Sequence, residues 1–135
     1  LVGTSRGTIS AAGVAAILPP GLISGVVLTS SVTRYPRKGG KQRVEDAKLD
    51  NIRVPVLFVH HKNDLCDVCV PEDIPDLARK FTAAPSVKIT MTEGGGNYRG
   101  SECGARSAHG FRGIEPEVVD QIAAWIKTVA AGKTP

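Results

Sequence analysis

Three residues of this chain have the types and the settings that nucleophilic chemistry requires: Ser5, Asp64 and His109. Ser5 is the centre of Gly3-Thr4-Ser5-Arg6-Gly7, a G-x-S-x-G pattern between the apolar Leu1-Val2 and a helix-like run of small residues. A serine on a tight turn between strand and helix has its hydroxyl pushed out over the sheet, beside the unpaired N–H groups that open the helix. The backbone N–H of Arg6 would then serve as one donor to an oxyanion. The flanking glycines suit a turn that brings helix and strand too close for side chains. A serine hydroxyl is a poor nucleophile at neutral pH; it needs a neighbouring base, and the base needs an orienting group. Asp64 follows the strand-like VPVLFVH within four residues, and His109 sits in a loop ahead of the last helix-like segment. Singly, such an Asp is ordinarily a turn former and such a His is ordinarily solvated. Their weight comes from falling with Ser5, in order, at one end of successive strands. Asp67 competes with Asp64 in the acid loop; Asp64 is favoured because it is nearer the strand end, where a carboxylate is held rigidly. Asp73 is better suited to capping a helix.

The elements that must position these residues alternate between strand-like and helix-like, the pattern of an α/β fold with a parallel sheet and helices on both faces. Leu1-Val2 reads as a strand end, and residues 8 to 18 as an Ala-rich helix stopped by Pro19-Pro20. SGVVLTS (residues 24 to 30) and VPVLFVH (54 to 60) are strands with nearly continuous apolar centres, as expected when both faces are covered. Residues 31 to 48 look irregular. After Asp73, the residues Ile74, Leu77, Ala78 and Phe81 mark one face of a helix. SVKITMT (86 to 92) alternates like a half-buried strand. From Pro116 to about Ala130 a helix presents Val118, Val119, Ile122, Ile126 and Val129 as its apolar stripe, with Glu115 and Glu117 at its start and Lys127 near its end, matching the macrodipole. In such sheets sites form beyond the carboxyl ends of the strands. The loops there are residues 3 to 7, 61 to 70 and 93 to 113.

With 135 residues the chain fits one modest domain. No run of eighteen apolar residues is present, which excludes a membrane-spanning helix. The formal charge of +4 comes largely from Arg34, Arg37, Lys38, Lys41 and Arg43 around Gly39-Gly40. That cluster reads as a solvated loop, with a positive rim for anionic substrates as the functional alternative. It lacks interleaved aromatics and any nucleic-acid motif, so nucleic acid is not an expected partner. The chain opens inside a strand, and we expect an upstream part of the same polypeptide to belong to it.

GTSRG, IRVPVLFVHHKND and SAHGF ahead of the terminal amphipathic helix together resemble the α/β-hydrolase family, specifically its C-terminal half from the nucleophile turn onward. The resemblance covers residues 1 to 135 as a partial domain with no large cap. It implies a serine hydrolase, esterase-like, that cleaves a small ester through an acyl-serine intermediate. Ser5 is then the nucleophile, His109 the general base and Asp64 the orienting acid. No cofactor or metal is implied. It also implies that the N-terminal strands, and the loop giving the second oxyanion donor, lie in a missing N-terminal half that acts as partner to this one. A hydrolase-derived scaffold that binds a ligand or partner without turnover is the first alternative, and a metal-dependent hydrolase the second.

Given that fold, the loops of Asp64 and His109 must meet, and a Cys66–Cys103 disulfide would lock them together. Cys69 in place of Cys66, or three reduced cysteines, are the other possibilities. The disulfide implies a periplasmic or secreted protein, its absence a cytoplasmic one. His60, His61, Asp64 and the cysteines offer ligand types for zinc, but only one C-x-x-C is present and no second pair completes a known spacing. Gly94-Gly95-Gly96 lacks the phosphate-loop pattern and reads as a flexible lead-in to the His109 loop.

Overall fold

The computed structural model describes residues 1–37 and 40–132, so Lys38 and Gly39 of the basic stretch lie outside the described residues. The chain forms an α/β fold with a four-stranded, all-parallel sheet and three α-helices. The strands β1 (Val2–Thr4), β2 (Val26–Thr29), β3 (Val56–His61) and β4 (Val87–Thr92) lie side by side in chain order. Thr4 pairs with Thr29, Thr29 with Val59 and His61 with Thr92, which brings the strand ends out along one edge. The helices are α1 (Arg6–Ala15), α2 (Ile74–Ala78) and α3 (Glu115–Ala130).

The apolar runs explain the layering. Every residue of β2 and β3 is buried. Val26, Leu28, Val56 and Phe58 pack with Ala11, Ala12 and Ala15 of α1 and with Ile74 and Leu77 of α2. The alternate residues Val27, Leu57 and Val59 pack with Phe111 and with Val118, Trp125 and Val129 of α3. Successive strand side chains point to opposite faces, so these are two separate cores, one on each side of the sheet. The alanines of α1 allow that helix to lie close against β2.

Four details depart from expectation. Helix α1 starts at Arg6, directly after the serine, and ends at Ala15; Ile17 beyond it is exposed. The stretch between β2 and β3 is not mere loop, because two short 3-10 turns (Val44–Asp46 and Leu49–Asn51) insert Val44, Leu49 and Ile52 into the α1-side core. In α3 the buried stripe is Val118, Trp125 and Val129, whereas Val119 and Ile126 face outward. Counting aliphatic residues alone passed over Trp125, whose indole packs across Gly25. Asp73 precedes α2 but makes no side-chain cap bond. Its carboxylate instead takes two hydrogen bonds from Arg34, at 2.7 and 3.0 Å. Arg43 likewise pairs with Glu45 and Asp46 and lies over the Tyr35 ring, so these two cations of the basic stretch are engaged in local ion pairs. Among the described residues no helix is long and apolar enough to cross a membrane.

Candidate functional site

Ser5 sits where β1 becomes α1, with backbone angles φ 50° and ψ −122°. For a non-glycine residue this conformation costs about 1–3 kcal/mol and persists only where its surroundings hold it. The holding contacts are specific. The Ser5 N–H donates to Thr29 O at 2.9 Å, continuing the ladder between β1 and β2. The Ser5 carbonyl accepts from the Thr8 N–H at 2.9 Å and from the buried Thr8 hydroxyl at 2.6 Å. Gly3 is required by space: a Cβ there would lie 2.4 Å from the Gly7 carbonyl oxygen and 2.8 Å from the Ala11 Cβ. Gly7 is different, since a Cβ at that position meets nothing within 4 Å. Thus the crowding expected of both glycines is found at Gly3 alone.

Asp64 and His109, 45 residues apart, meet above the ends of β3 and β4. The His109 Nδ1–H donates to Asp64 Oδ2 at 2.9 Å, and both side chains are buried. Asp64 Oδ1 accepts the Cys66 N–H at 2.9 Å, and His60 Nε2 lies 3.3 Å from Oδ2 while also bonding the Cys69 carbonyl at 2.9 Å. Burial alone would raise the Asp64 pKa. Hydrogen bonds from His109, His60 and the Cys66 backbone, with the attraction of His109, outweigh it and hold the carboxyl below its ordinary value. An ionised Asp64 in turn fixes the tautomer of His109, leaving Nε2 as the ring nitrogen with a free lone pair. That atom is buried and has no hydrogen-bond partner. Asp67, the rival acid, is exposed and outside this network.

The loop of His109 is anchored by residues that the sequence reading passed over. The buried Ser30 hydroxyl donates to the His109 carbonyl at 2.7 Å. Ser107 accepts the His109 N–H at 3.2 Å and donates back to the Glu102 carbonyl at 2.6 Å. A serine two residues ahead of the histidine is a recognisable turn signal; Ser30 and Thr8 carry no local signal, since their partners are distant or set by the fold. The glycine stretch is a packing point more than a flexible lead-in. Gly95 has φ +73°, and a Cβ on it would approach the Arg112 carbonyl to 2.2 Å. His61 steadies the same stretch through Gly94 O at 3.1 Å.

The cysteines divide two and one. Cys66 and Cys103 form a disulfide with a Cα separation of 4.6 Å, joining the Asp64 and His109 loops, and Cys69 is a buried free thiol. This is the expected Cys66–Cys103 pairing and not the alternative through Cys69. Burial pushes the Cys69 thiol up to about 12, with the Asp64 charge acting in the same direction and a hydrogen bond with the Ser5 hydroxyl opposing. The Cys69 sulfur also lies within 4.8 Å of a His109 ring nitrogen. Of the possible metal ligands, His60 and His61 are occupied by backbone carbonyls; two groups gather among the described residues, Cys66 with Cys69 and His109, and Cys66 with Asp67 and Cys103.

Ser5 and His109 open together into a groove of about 650 Å³. Its walls are mainly apolar: Val2 of β1, Phe111, and Val118, Val119, Ile122 and Ile126 of α3. A strained serine, a polarised imidazole and an apolar channel therefore share one space. No family model matches this chain, and comparison with curated proteins and with solved structures finds no match to either.

Proposed function

We propose that this chain carries the catalytic centre of a serine hydrolase of the α/β-hydrolase kind that cleaves carboxylic esters. The observation that carries the proposal is the buried Asp64–His109 hydrogen bond, which leaves Nε2 unpartnered in the cavity that Ser5 lines. In the reaction, Ser5 turns from Cys69 towards Nε2, gives up its proton to His109 and attacks the ester carbonyl. The Arg6 N–H at the start of α1 stabilises the oxyanion. His109 then protonates the departing alcohol, and water repeats the sequence to release the acid. Asp64 remains ionised throughout and stabilises the imidazolium. The groove receives the apolar part of the ester.

The outer edge of β1 has no partner among the described residues, and Leu1, Val2, Val119 and Ile126 are exposed near it. A further strand from an upstream part of the same polypeptide would cover that edge and bring the second oxyanion donor. The disulfide between the acid and base loops suits an oxidising compartment, periplasmic or extracellular.

A second reading, a scaffold that binds a ligand without turnover, draws on one observation: His109 Nε2 has no hydrogen-bond partner, so no such bond joins it to the Ser5 hydroxyl. A fluorophosphonate probe separates the two. We expect covalent labelling of Ser5 and its loss in Ser5→Ala, together with a fall in ester hydrolysis of at least about ten-thousandfold. A folded protein that stays unlabelled, or labels at another residue, refutes the hydrolase reading.

A further inference from the structure

Beside the Asp64–His109 pair lies a set of soft ligands that the proposed reaction does not use. Cys66, Cys69 and His109 are all buried, and one ligand atom of each lies within 4.8 Å of the others. Cys66 and Cys69 form a C-x-x-C turn closed by the Cys69 N–H bonding the Cys66 carbonyl at 3.0 Å. This is the ligand spacing used by thiolate zinc sites. His109 contributes independently: its Nδ1–H is bonded to Asp64, while its buried Nε2 has no partner. A carboxylate behind the histidine is how metal-binding imidazoles are oriented.

We infer that reduction of the Cys66–Cys103 disulfide turns this cluster into a site for one soft divalent cation of the zinc class, held by both Cys66 and Cys69 sulfurs and by His109 Nε2. The opening step is thiol–disulfide exchange with a small dithiol. Cys103 is exposed where Cys66 is buried, so the reductant thiolate attacks the Cys103 sulfur and Cys66 leaves as a thiolate. The second thiol of the reductant then closes its own disulfide and releases Cys103; two electrons pass to the protein and the dithiol is oxidised. The cation displaces the protons still on the Cys66 and Cys69 thiols to solvent and binds His109 neutral. Burial that disfavours a bare Cys69 thiolate favours one neutralised by a divalent ion. A Zn–S bond of about 2.3 Å in tetrahedral geometry sets two sulfurs roughly 3.8 Å apart; these ligand atoms lie within 4.8 Å, so the side chains need to close in by no more than about 1 Å. The fourth position is left for water or for the Ser5 hydroxyl beside Cys69.

With the ion bound, Nε2 no longer takes a proton, and the centre is switched off. That consequence rests on the hydrolase reading; the binding itself does not. The test uses the complete protein, reduced with a dithiol, desalted without oxygen and titrated with Co²⁺ as a spectroscopic substitute for Zn²⁺. One ion per reduced chain with a thiolate-to-cobalt charge-transfer band is expected, and none for the oxidised protein. Cys69→Ser should weaken binding by at least about tenfold. Reduced Cys103→Ser should keep it. The second variant matters because Cys66, Asp67 and Cys103 form another ligand group nearby. Loss of binding in Cys103→Ser with retention in Cys69→Ser would place the ion there and overturn the inference, as would a reduced wild type that binds no ion. A protein that binds Co²⁺ with this pattern but never labels at Ser5 supports the site and refutes the hydrolase reading.

Discussion

The two faces of the sheet are closed to different degrees. On the α1 and α2 side, small alanines, Ile74 and Leu77 meet Val26, Leu28, Val56 and Phe58 in a continuous core, extended by Val44, Leu49 and Ile52 from the β2–β3 connection. On the α3 side the core is smaller, and Val119 and Ile126 of the same helix remain 61% and 40% exposed beside the groove. The contrast assigns different work to each face. The closed side supplies rigidity to the strained Ser5 turn, because Thr8 and Ala11 are fixed against β2. The open side leaves room, and in the proposed hydrolase its unfilled apolar wall would receive the substrate.

The largest effect is expected at Asp64, buried behind His109. Asp64→Asn retains shape but no longer favours the Nδ1–H tautomer of His109, and hydrolysis should fall about ten-thousandfold while the fold persists. Ester turnover together with an unfolding curve checks this, and an active Asn variant would remove Asp64 from the mechanism. The same variant has a pH signature. The folded carboxyl is held below its ordinary value by hydrogen bonds from His109, His60 and Cys66, against the opposing effect of burial. Its contribution to stability is therefore complete above the unfolded carboxyl pKa and is lost as pH falls through the folded value. The stability difference between wild type and Asp64→Asn should shrink as the solution is acidified through that range. A difference that grows would mean that the carboxylate is destabilising in the folded state.

The next effect sharpens the contrast between the faces. Phe58 is fully buried on the closed side and stands edge-on to Phe81, with ring centres 5.4 Å apart. Phe58→Ala should cost about 3–5 kcal/mol in chemical denaturation, because the surrounding strands and helices cannot collapse into the space. A loss below about 0.5 kcal/mol, the range of ordinary surface changes, would show that the closed core is looser than its burial indicates.

How much of this was legible beforehand follows from the range of each interaction. The strands of β2 and β3 were plain because continuous apolar runs report burial on both faces, and the serine turn because glycine and serine spacing is local. The partnership of Cys66 with Cys103 was legible only once the fold was supposed, since nothing in their spacing selects it over Cys69. Trp125 was missed because an aliphatic stripe at Val118, Val119, Ile122 and Ile126 looked sufficient, and a shift of one residue, about 100° around the helix, decides which of them are buried. Asp73 looked like a cap, yet Arg34, 39 residues away, captures its carboxylate with a bidentate ion pair that no local pattern encodes. Ser30 was invisible for the same reason, since it reaches the His109 carbonyl across 79 residues; Thr8 bonds the Ser5 carbonyl three residues back, and its importance shows only once the strained serine turn is seen.

The smallest effect concerns the open face, and there stability and function should separate. Val119 is exposed on α3 and lines the groove shared by Ser5 and His109. Val119→Ser removes little packed surface, so unfolding should move by no more than about 0.5 kcal/mol. If the groove holds the apolar part of the ester, that substitution removes a contact only a bound chain makes. Burial of one or two methylene equivalents is worth about 0.8 kcal/mol each, so KM for esters with long acyl chains should rise roughly four- to fifteenfold. Acetate esters, which lack the long apolar chain, should keep their KM, and kcat should be unchanged for both because the Val119 side chain carries no group that takes part in the chemistry. Equal KM for long and short esters in both proteins would mean that substrate does not lie along α3, and that the apolar surface there serves contact with another segment of chain.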